Sequence, residues 1–405
     1  MLRLDKAQWN EWLVYLLNRP LAYGLLELSR RLGEVVYLPR IGHVISDAEV
    51  ALDVLMDTEH FDSHSPGSLG FLVTQALGPY ALLNMDGPEH KDLKRRLQEV
   101  FSSKYIKALI GSATDDMVEE FRGNLRAGRV VDLVEFMKDF SSRMACELVG
   151  VRVDPHNERG AYADMFTLAT EFTALAGLGK PRLSASDLKK AKRIVEQLSA
   201  HIRESYEDKN IRDESLTQQM RSRGFTFEEA KGVVIIVMIG ATELITYGMP
   251  RVLTLLVDSR QIEKLRAKPE LLERAVDEGF RLVTPSNVVF RAVVADCQIR
   301  GHHFRKGRRA LIVFNNMMKQ EKHFPNATRF DIERTIDSRF RRLPFGAGAH
   351  TCLGTGLAIA EARKVLEALM SVEGEYEILS RRYNRGQTFP GYSSLLIRVR
   401  RPSLP

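Results

Sequence analysis

The chain of 405 residues carries a formal net charge of +7, and 44% of its residues are hydrophobic and 27% charged. This composition is typical of a folded globular protein with one large fold or two to three domains, and it excludes a fibrous or low-complexity chain. Cys146, Cys297 and Cys352 are odd in number and far apart, which argues against a disulfide framework and predicts a reducing, cytoplasmic environment.

The sequence predicts neither export nor a membrane anchor. Its first residues carry charges throughout and lack the apolar core of a signal peptide. The longest purely apolar run, Val233 to Ile239, is shorter than the roughly eighteen residues that span a bilayer. The positive charge indicates an acidic partner or a generally solvated basic surface. Nucleic acid is not expected as a partner, because no stripe combines basic with aromatic residues.

The N-terminal quarter predicts a small sheet, a long loop and a helix. Two β-prone runs within residues 34–46 flank Pro-Arg-Ile-Gly and predict a hairpin. Residues 61–87 have an irregular pattern, which favours a functional loop over a plain connector. Asp86-Gly-Pro-Glu-His90 then opens a helix that reaches Phe101. His90 and Lys94 are one helical turn apart, so both can face the same anion.

The middle of the chain predicts helices. Residues 105–222 are mostly helical, with breaks around Asp154-Pro155 and between residues 177 and 181. Thr226 and Glu229 form a capping box, which indicates the start of a long helix. The β-branched run that follows favours a buried strand by propensity alone. Pro250 is placed to kink or end that helix.

The last third combines a charged pair with strands. Glu278 and Arg281 form an E-x-x-R pair at helical spacing, a weak signal by itself. An extended run after Pro285 ends at Arg291, residues 310–314 predict a strand, and residues 395–400 alternate as an edge strand.

The most informative stretch begins at Pro344 and contains one cysteine. Gly346 and Gly348 permit a tight loop that aims backbone N–H groups at a sulfur. Apolar residues at helical spacing follow Cys352 and place it at a helix N-terminus, which stabilises a thiolate. A single thiolate without a second nearby cysteine suits an axial haem ligand better than zinc or a disulfide. His350 is close enough to reach a haem carboxylate.

This stretch resembles the haem-binding signature F-x-x-G-x-H-x-C-x-G of the cytochrome P-450 family, in its soluble bacterial type; the matching residues are Phe345, Gly348, His350, Cys352 and Gly354, with Gly346 inside the loop. The resemblance implies a mainly α fold with a minor β-sheet region, in one large domain over residues 1–405. The β-rich parts are expected at about 30–60, 290–315 and 385–400, and the helical parts at about 90–285 and 352–372. It also favours a helix over a strand after Thr226.

The resemblance also implies a cofactor and roles for individual residues. The cofactor is haem b, iron protoporphyrin IX, with Cys352 as the metal ligand. The residues expected to bind the haem propionates are His90, Lys94, Arg291 and His350. The pair Glu278 and Arg281 is expected to be structural, joined by an arginine just ahead of the cysteine loop; the candidates are Arg339, Arg341 and Arg342.

One part of the chain departs from the family pattern A-G-x-[D/E]-T on the distal helix. In the ungapped register, Gly240 takes the glycine place, Thr242 the acid place and Glu243 the threonine place. A shift by one residue supplies the acid but loses the alcohol. The usual hydroxyl relays a proton during oxygen activation, so Thr242 and Glu243 are the candidate catalytic residues of an altered route. The other interpretation is that both residues only pack.

The expected function is a haem-thiolate monooxygenase that hydroxylates a small or medium apolar molecule, secondary-metabolite, terpenoid or steroid-like. The candidate pocket residues are Ile239, Gly240, Val288, Val289 and Phe389. No dinucleotide fingerprint is present, so an acidic ferredoxin and its reductase are expected as partners of a monomer, docked near Lys94, Arg95 and Arg341. The alternatives are a peroxide-using, coupling or rearranging enzyme with Glu243 as distal acid/base, and a haem sensor or carrier without turnover.

Overall fold

The computed structural model describes residues 4–98, 100–154, 156–175, 182–208, 214–284 and 286–400. The helices of the first half are α1 Lys6–Asn18, α2 Pro20–Leu32, α3 Ala48–Met56, α4 Leu69–Leu77, α5 Gly87–Gln98, α6 Ser103–Arg126, α7 Leu133–Val149, α8 Glu158–Leu175 and α9 Ala185–Glu207. Those of the second half are α10 Leu216–Ser222, α11 Phe227–Asp258, α12 Ile262–Ala267, α13 Leu272–Val283, α14 Phe314–Met317, α15 Ser338–Arg341 and α16 Thr355–Met370.

The strands form small sheets at the side of the helices. They are β1 Val35–Leu38, β2 Gly42–Ile45, β3 Phe61–Asp62, β4 Val131–Asp132, β5 Val288–Val293, β6 Cys297–Ile299, β7 His302–Phe304, β8 Arg309–Val313, β9 Glu375–Tyr383 and β10 Tyr392–Arg400. Within the described residues, one sheet has the order β1-β2-β8-β5-β3, a second the order β4-β10-β9, and β6 pairs with β7. The predicted mainly α architecture with a minor β region is thus confirmed.

Helix α11 is the central element of the fold. The predicted capping box is present: the Thr226 side chain accepts from the backbone N–H of Glu229, and the Glu229 side chain accepts from the N–H of Thr226. The helix continues through Pro250 to Asp258. Its first half packs in one hydrophobic cluster with α8 and α9, and its second half in another with α7 and α16. The helix is long and apolar enough to cross a membrane, but 72% of its most apolar window is buried inside the protein, as in a core helix.

Several predicted elements are confirmed and others are corrected. Strands β1 and β2 form the predicted antiparallel hairpin. The segment 61–87 is not one irregular loop, because Ser68 caps α4, which buries Leu72 and Leu77. The break at residue 154 lies between α7 and α8, whereas the break at 177–181 falls outside the described residues.

The predicted edge strand at residues 395–400 is wrong in its position. Strand β10 lies between β4 and β9, and β4 pairs with it at Leu396 and Ile397. Leu395, Ile397 and Val399 are buried on one face of it, which explains the alternation that suggested an edge strand. Strand β9 lies in a region for which the sequence predicted no element.

Candidate active site

The cysteine loop is a tight turn that precedes α16. Gly346 and Gly348 have φ values of 78° and 67°, in the left-handed region that favours glycine. A Cβ at Gly348 would lie 2.6 Å from the carbonyl oxygen of Leu55, so a larger residue would displace the loop. The N–H of Cys352 donates to the carbonyl of Phe345 at 2.8 Å. These contacts fix the direction of the cysteine side chain.

Cys352 is surrounded by protein atoms and yet has accessible surface, as expected of a side chain that lines a cavity. Burial raises the pKa of its thiol, while the N–H of Gly354, the hydroxyl of Thr355 and the charge of Lys94 oppose that rise. The groups that lower the pKa all favour the thiolate. A metal ion bound to Cys352 would take part of the charge of the thiolate and so favour the thiolate over the thiol.

Lys94 is bonded to the cysteine loop. Its Nζ donates to the carbonyl oxygens of Ala349 and Thr351 at 2.6 and 2.8 Å. Burial lowers the pKa of Lys94, and the negative charge of Cys352 opposes that change. The predicted contact of Lys94 with a propionate stays a prediction, and the structure adds that this side chain holds the loop.

The other predicted propionate residues lie together near the loop. The rings of His90 and His350 stack with centroids 4.5 Å apart. Burial and the charges of His350, Lys94 and Arg291 lower the pKa of His90 to about 4. Arg291 is 5% exposed, and no described carboxylate forms an ion pair with it. We call the cluster of His90, Lys94, Arg291 and His350 the basic pocket. A buried guanidinium in this pocket fits an anionic group such as a haem propionate.

Asp86 is a member of this cluster that the sequence analysis quoted without giving it a role. Its Oδ1 lies 2.7 Å from Nε2 of His350, which also lies 3.0 Å from the hydroxyl of Ser63. Although burial raises the pKa of Asp86, hydrogen bonds from His350 and His64 outweigh burial and hold that pKa well below its usual range. Its position just before α5 was the available signal, but its partner is 264 residues away.

The pair Glu278 and Arg281 is completed by a different arginine from those predicted. Arg281 donates from Nε and Nη2 to the two carboxylate oxygens at 2.7 and 2.8 Å, and both side chains are fully buried. The third partner is Arg334, whose Nε donates to Glu278 at 3.1 Å. The chain turns at Asp331, whose N–H also binds Glu278, and this turn brings Arg334 within reach.

The three arginines predicted for that place bind elsewhere. Arg342 pairs with Asp277 at 2.5 Å, Arg341 with the same carboxylate at 3.7 Å, and Arg339 with Asp337 at 2.8 Å. They follow the turn that places Arg334 and face the protein surface.

Helix α11, which the family resemblance places on the distal side of the haem, presents an open surface at Gly240. A Cβ added there would meet no described atom within 4 Å. Ile236, Val237 and Leu244 beside it are partly exposed. Gly240 therefore allows a ligand to approach the helix backbone, as expected of a pocket wall.

Thr242 and Glu243 point away from that opening into the protein. The hydroxyl of Thr242 donates to the carbonyl of Met238 at 2.9 Å, so it is used within the helix. Glu243 is fully buried and its Oε2 accepts from the hydroxyl of Thr173 on α8 at 2.7 Å. Its Oε1 has no hydrogen-bond partner among the described residues. Burial raises the pKa of Glu243 to about 8, and the Thr173 hydrogen bond opposes that rise.

The remaining predicted pocket residues differ in exposure. Ile239 is 8% exposed and belongs to a hydrophobic cluster, whereas Val288, Val289 and Phe389 are partly exposed. The turn before β10 carries Phe389, and the hydroxyl of Thr388 in that turn donates to the carbonyl of Thr173 at 3.1 Å. That bond brings the turn next to α8, on the same side as Glu243.

The arrangement of a cysteine loop, a basic pocket and an open central helix corresponds to a known family. The family model described as Cytochrome P450 matches residues 25–267 and 259–372. The chain belongs to the cytochrome P450 family and is thus a haem-thiolate monooxygenase with haem b as its cofactor.

Comparisons with individual proteins agree with this assignment. The chain is 26% identical over 299 residues to mycinamicin IV hydroxylase/epoxidase of Micromonospora griseorubida, with 71% of each chain covered. It is 25% identical over 350 residues to vitamin D3 dihydroxylase of Streptomyces griseolus, with 83% of this chain and 81% of that one covered. The crystal structure of CYP109E1 from Bacillus megaterium in complex with testosterone has the same fold, with a TM-score of 0.77, 20% identity and coverage of 93% and 97%.

Proposed function

We propose that the protein hydroxylates a medium-sized apolar molecule of the secondary-metabolite, terpenoid or steroid class, in the cytoplasm, with electrons from an acidic ferredoxin and its reductase. The observation that carries the substrate class is the opening at Gly240, flanked by partly exposed apolar residues of α11. The names of the relatives, which include a mycinamicin hydroxylase and a vitamin D3 dihydroxylase, support a substrate of this size.

The residues of the basic pocket and the cysteine loop would hold the haem between them. Cys352 would bind the iron, and His90, Lys94, Arg291 and His350 would bind the propionates. A thiolate-ligated haem supplies oxygen activation by favouring O–O cleavage. The residues of α11 and the turn at Phe389 would exclude water and orient the substrate above it.

A binding screen tests the substrate class. Sterols, macrolides and terpenoids are titrated into the ferric holoenzyme, and displacement of water by a bound substrate is followed as a Soret shift. Gly240→Leu fills the opening and is expected to weaken binding of the best ligand by at least tenfold, whereas Gly123→Leu, at an open position on α6, should not. Equal affinities in the two variants would refute the proposed pocket.

The proposed docking face for ferredoxin needs one correction. Lys94 is half-buried and bonded to the cysteine loop, so it is not available to a partner. Arg95 and Arg341 have side chains that are 73% and 48% exposed and stay in the proposal. Arg95→Glu with Arg341→Glu should lower turnover with an acidic ferredoxin severalfold, and 0.1 M added salt should weaken wild-type turnover.

Lys189→Glu with Lys192→Glu on α9 is the matched control, because it makes the same charge change at exposed positions away from the cysteine loop. A flat salt response, or an equal loss in the control, would count against the docking face.

Glu243 favours a second candidate function, peroxide-driven oxidation with Glu243 as the distal acid/base. A carboxyl group whose pKa burial raises to about 8 is largely protonated at neutral pH and can both donate and accept a proton. Turnover with hydrogen peroxide and no ferredoxin, lost in Glu243→Gln, would support this candidate. If only the ferredoxin-driven reaction proceeds, the first function is the better one.

A further inference from the structure

Helix α2 presents a row of leucines to solvent. Four leucines recur at helical spacing and share one face of the helix: Leu21, Leu25, Leu28 and Leu32. Their exposed fractions run from 37% at Leu25 to 90% at Leu21. A surface helix normally turns its polar side chains outward and its leucines toward the core. Helix α2 does the reverse along this face, which we call the leucine row.

The opposite face of α2 is already used for packing. Tyr23 and Leu26 are buried in one hydrophobic cluster with Val44 of β2 and Leu311 of β8. Ser29, one of the few polar residues of the helix, is also buried and donates to the carbonyl of Leu26 at 2.7 Å. A helix that is apolar all round is normally covered on both sides. The leucine row is therefore the face of α2 that is available to an apolar partner.

Arginines lie at both ends of the leucine row. Arg19 precedes the helix, and its guanidinium donates to the carbonyl of Gly386, beside the exposed Arg385. Arg31 lies at the other end, with a side chain that is 72% exposed. Glu27, the one acidic residue in the sequence of α2, forms an ion pair with Arg31 at 3.4 Å. The surface thus combines exposed apolar side chains with an excess of positive charge.

We propose that the leucine row is a membrane-contact surface, which binds a bilayer containing anionic phospholipids without spanning it. Leucines with arginines beside them are the pattern of a helix that lies in the plane of a membrane interface. Anionic lipids attract basic residues close to the bilayer surface, and the formal net charge of +7 adds to that attraction. The contact is peripheral and reversible, and it does not depend on the proposed substrate.

The size of the leucine row favours a membrane over a second copy of the chain. From Leu21 to Leu32 the row is roughly 16 Å long, and a helix is about 10–12 Å wide. A stable protein interface buries about 800 Å² on each partner, which is several times that area. Two copies joined at this face would also bring their arginines together, and like charges repel. An anionic bilayer covers the leucines and meets the arginines with the opposite charge.

The helix that precedes α2 exposes aromatic rings of the kind found at membrane interfaces. Trp9 and Trp12 of α1 are both exposed, and their ring centroids are 5.2 Å apart. Helices α1 and α2 pack against each other. Tryptophan is enriched where lipid headgroups meet the hydrocarbon, because its ring is apolar and its N–H is polar. Interfacial side chains are thus present on the element next to the leucine row.

Cosedimentation of the holoenzyme with lipid vesicles tests the inference. The probe is vesicles of phosphatidylglycerol mixed with phosphatidylcholine, and vesicles of phosphatidylcholine alone serve for comparison. Leu21→Gln with Leu28→Gln removes two leucines of the row and introduces residues that favour a helix. Binding of this variant to the anionic vesicles should fall by about tenfold or more, because two apolar side chains no longer leave water. Added salt should weaken wild-type binding severalfold, because it screens the arginines.

Val130→Gln with Leu379→Gln is the matched control, because it removes two exposed apolar side chains outside α1 and α2. This variant should bind the vesicles as the wild type does. The thiolate band of the carbon monoxide complex shows that each variant is folded.

The outcomes separate the possible partners of the row. A wild type that does not bind the anionic vesicles overturns the proposal. Binding that the leucine variant keeps, or that the control loses equally, overturns the assignment to α2. Equal binding to phosphatidylcholine alone overturns the part given to the arginines. Sedimentation velocity without lipid tests for a second copy: a wild-type dimer that the leucine variant dissociates would make the row a protein interface and overturn the membrane contact.

Discussion

The two sides of the haem site are built from different kinds of sequence information. On the proximal side, ten consecutive residues contain the proposed ligand Cys352 and the glycines that shape its loop, and Lys94 ties that loop to α5. On the distal side, Glu243 obtains its one described partner from Thr173, which is 70 residues away. A local motif thus contains the proposed metal ligand, whereas the environment of Glu243 depends on how α8 packs against α11. The cysteine motif can be recognised in the sequence, whereas the contact between Thr173 and Glu243 is seen only in the folded structure.

The largest expected effect concerns the local side. Cys352→Ala should abolish the red-shifted Soret band of the reduced carbon monoxide complex, because it removes the thiolate ligand. The absorption spectrum of that complex measures the effect directly.

Cys146→Ala and Cys297→Ala are the controls and should keep the band. Loss of the band in either control, or its persistence in Cys352→Ala, would contradict the assignment of the ligand.

A smaller effect is expected from a contact between residues distant in the chain, the ion pair of Arg334 with Glu278. Arg334→Met should lower the free energy of unfolding by about 3–5 kcal/mol, because it removes a charge partner from the fully buried Glu278. Arg342→Met should cost at most about 1 kcal/mol, since that side chain is 43% exposed. Denaturant unfolding of the ferric protein measures both variants. Equal losses would show that Arg334 is not the third member of the network.

An effect of similar size is expected on the distal side, as a pH dependence. Because burial raises the pKa of Glu243 to about 8 from 4.5, the folded state binds its proton more tightly than the unfolded state does. The stability that this protonation contributes is complete below about pH 4.5 and is lost as the pH rises through about 8. The unfolding free energy of the wild type relative to Glu243→Gln should therefore fall by a few kcal/mol over that interval.

Glu228→Gln provides the control for this titration. Glu228 lies on the same helix with a side chain that is 59% exposed, so its curve should run parallel to that of the wild type. A curve for Glu243→Gln that is also parallel would mean that Glu243 does not titrate in the folded protein.

The sequence predicted those features whose causes are local. The capping box of α11, the hairpin of β1 and β2 and the cysteine loop each depend on a few neighbouring residues. The central position of β10 was missed, because a strand's place in a sheet depends on its partners, and Val131–Asp132 of β4 is far away in the chain. Arg334 was missed in favour of residues closer to the cysteine loop, because the turn at Asp331 decides which arginine reaches Glu278.

The turn before β10 is held by residues from the start of the chain. Asn18 donates to the carbonyl of Gln387 and Arg19 to that of Gly386, pairs that are 369 and 367 positions apart. At the usual rate of translation, Asn18 leaves the ribosome roughly 20–70 seconds before its partner is made. The turn that carries Phe389 is therefore formed late, after the segments that form α5, α8 and α11 have been synthesised. A chain that stops before residue 386 lacks this turn even if its cysteine loop is complete.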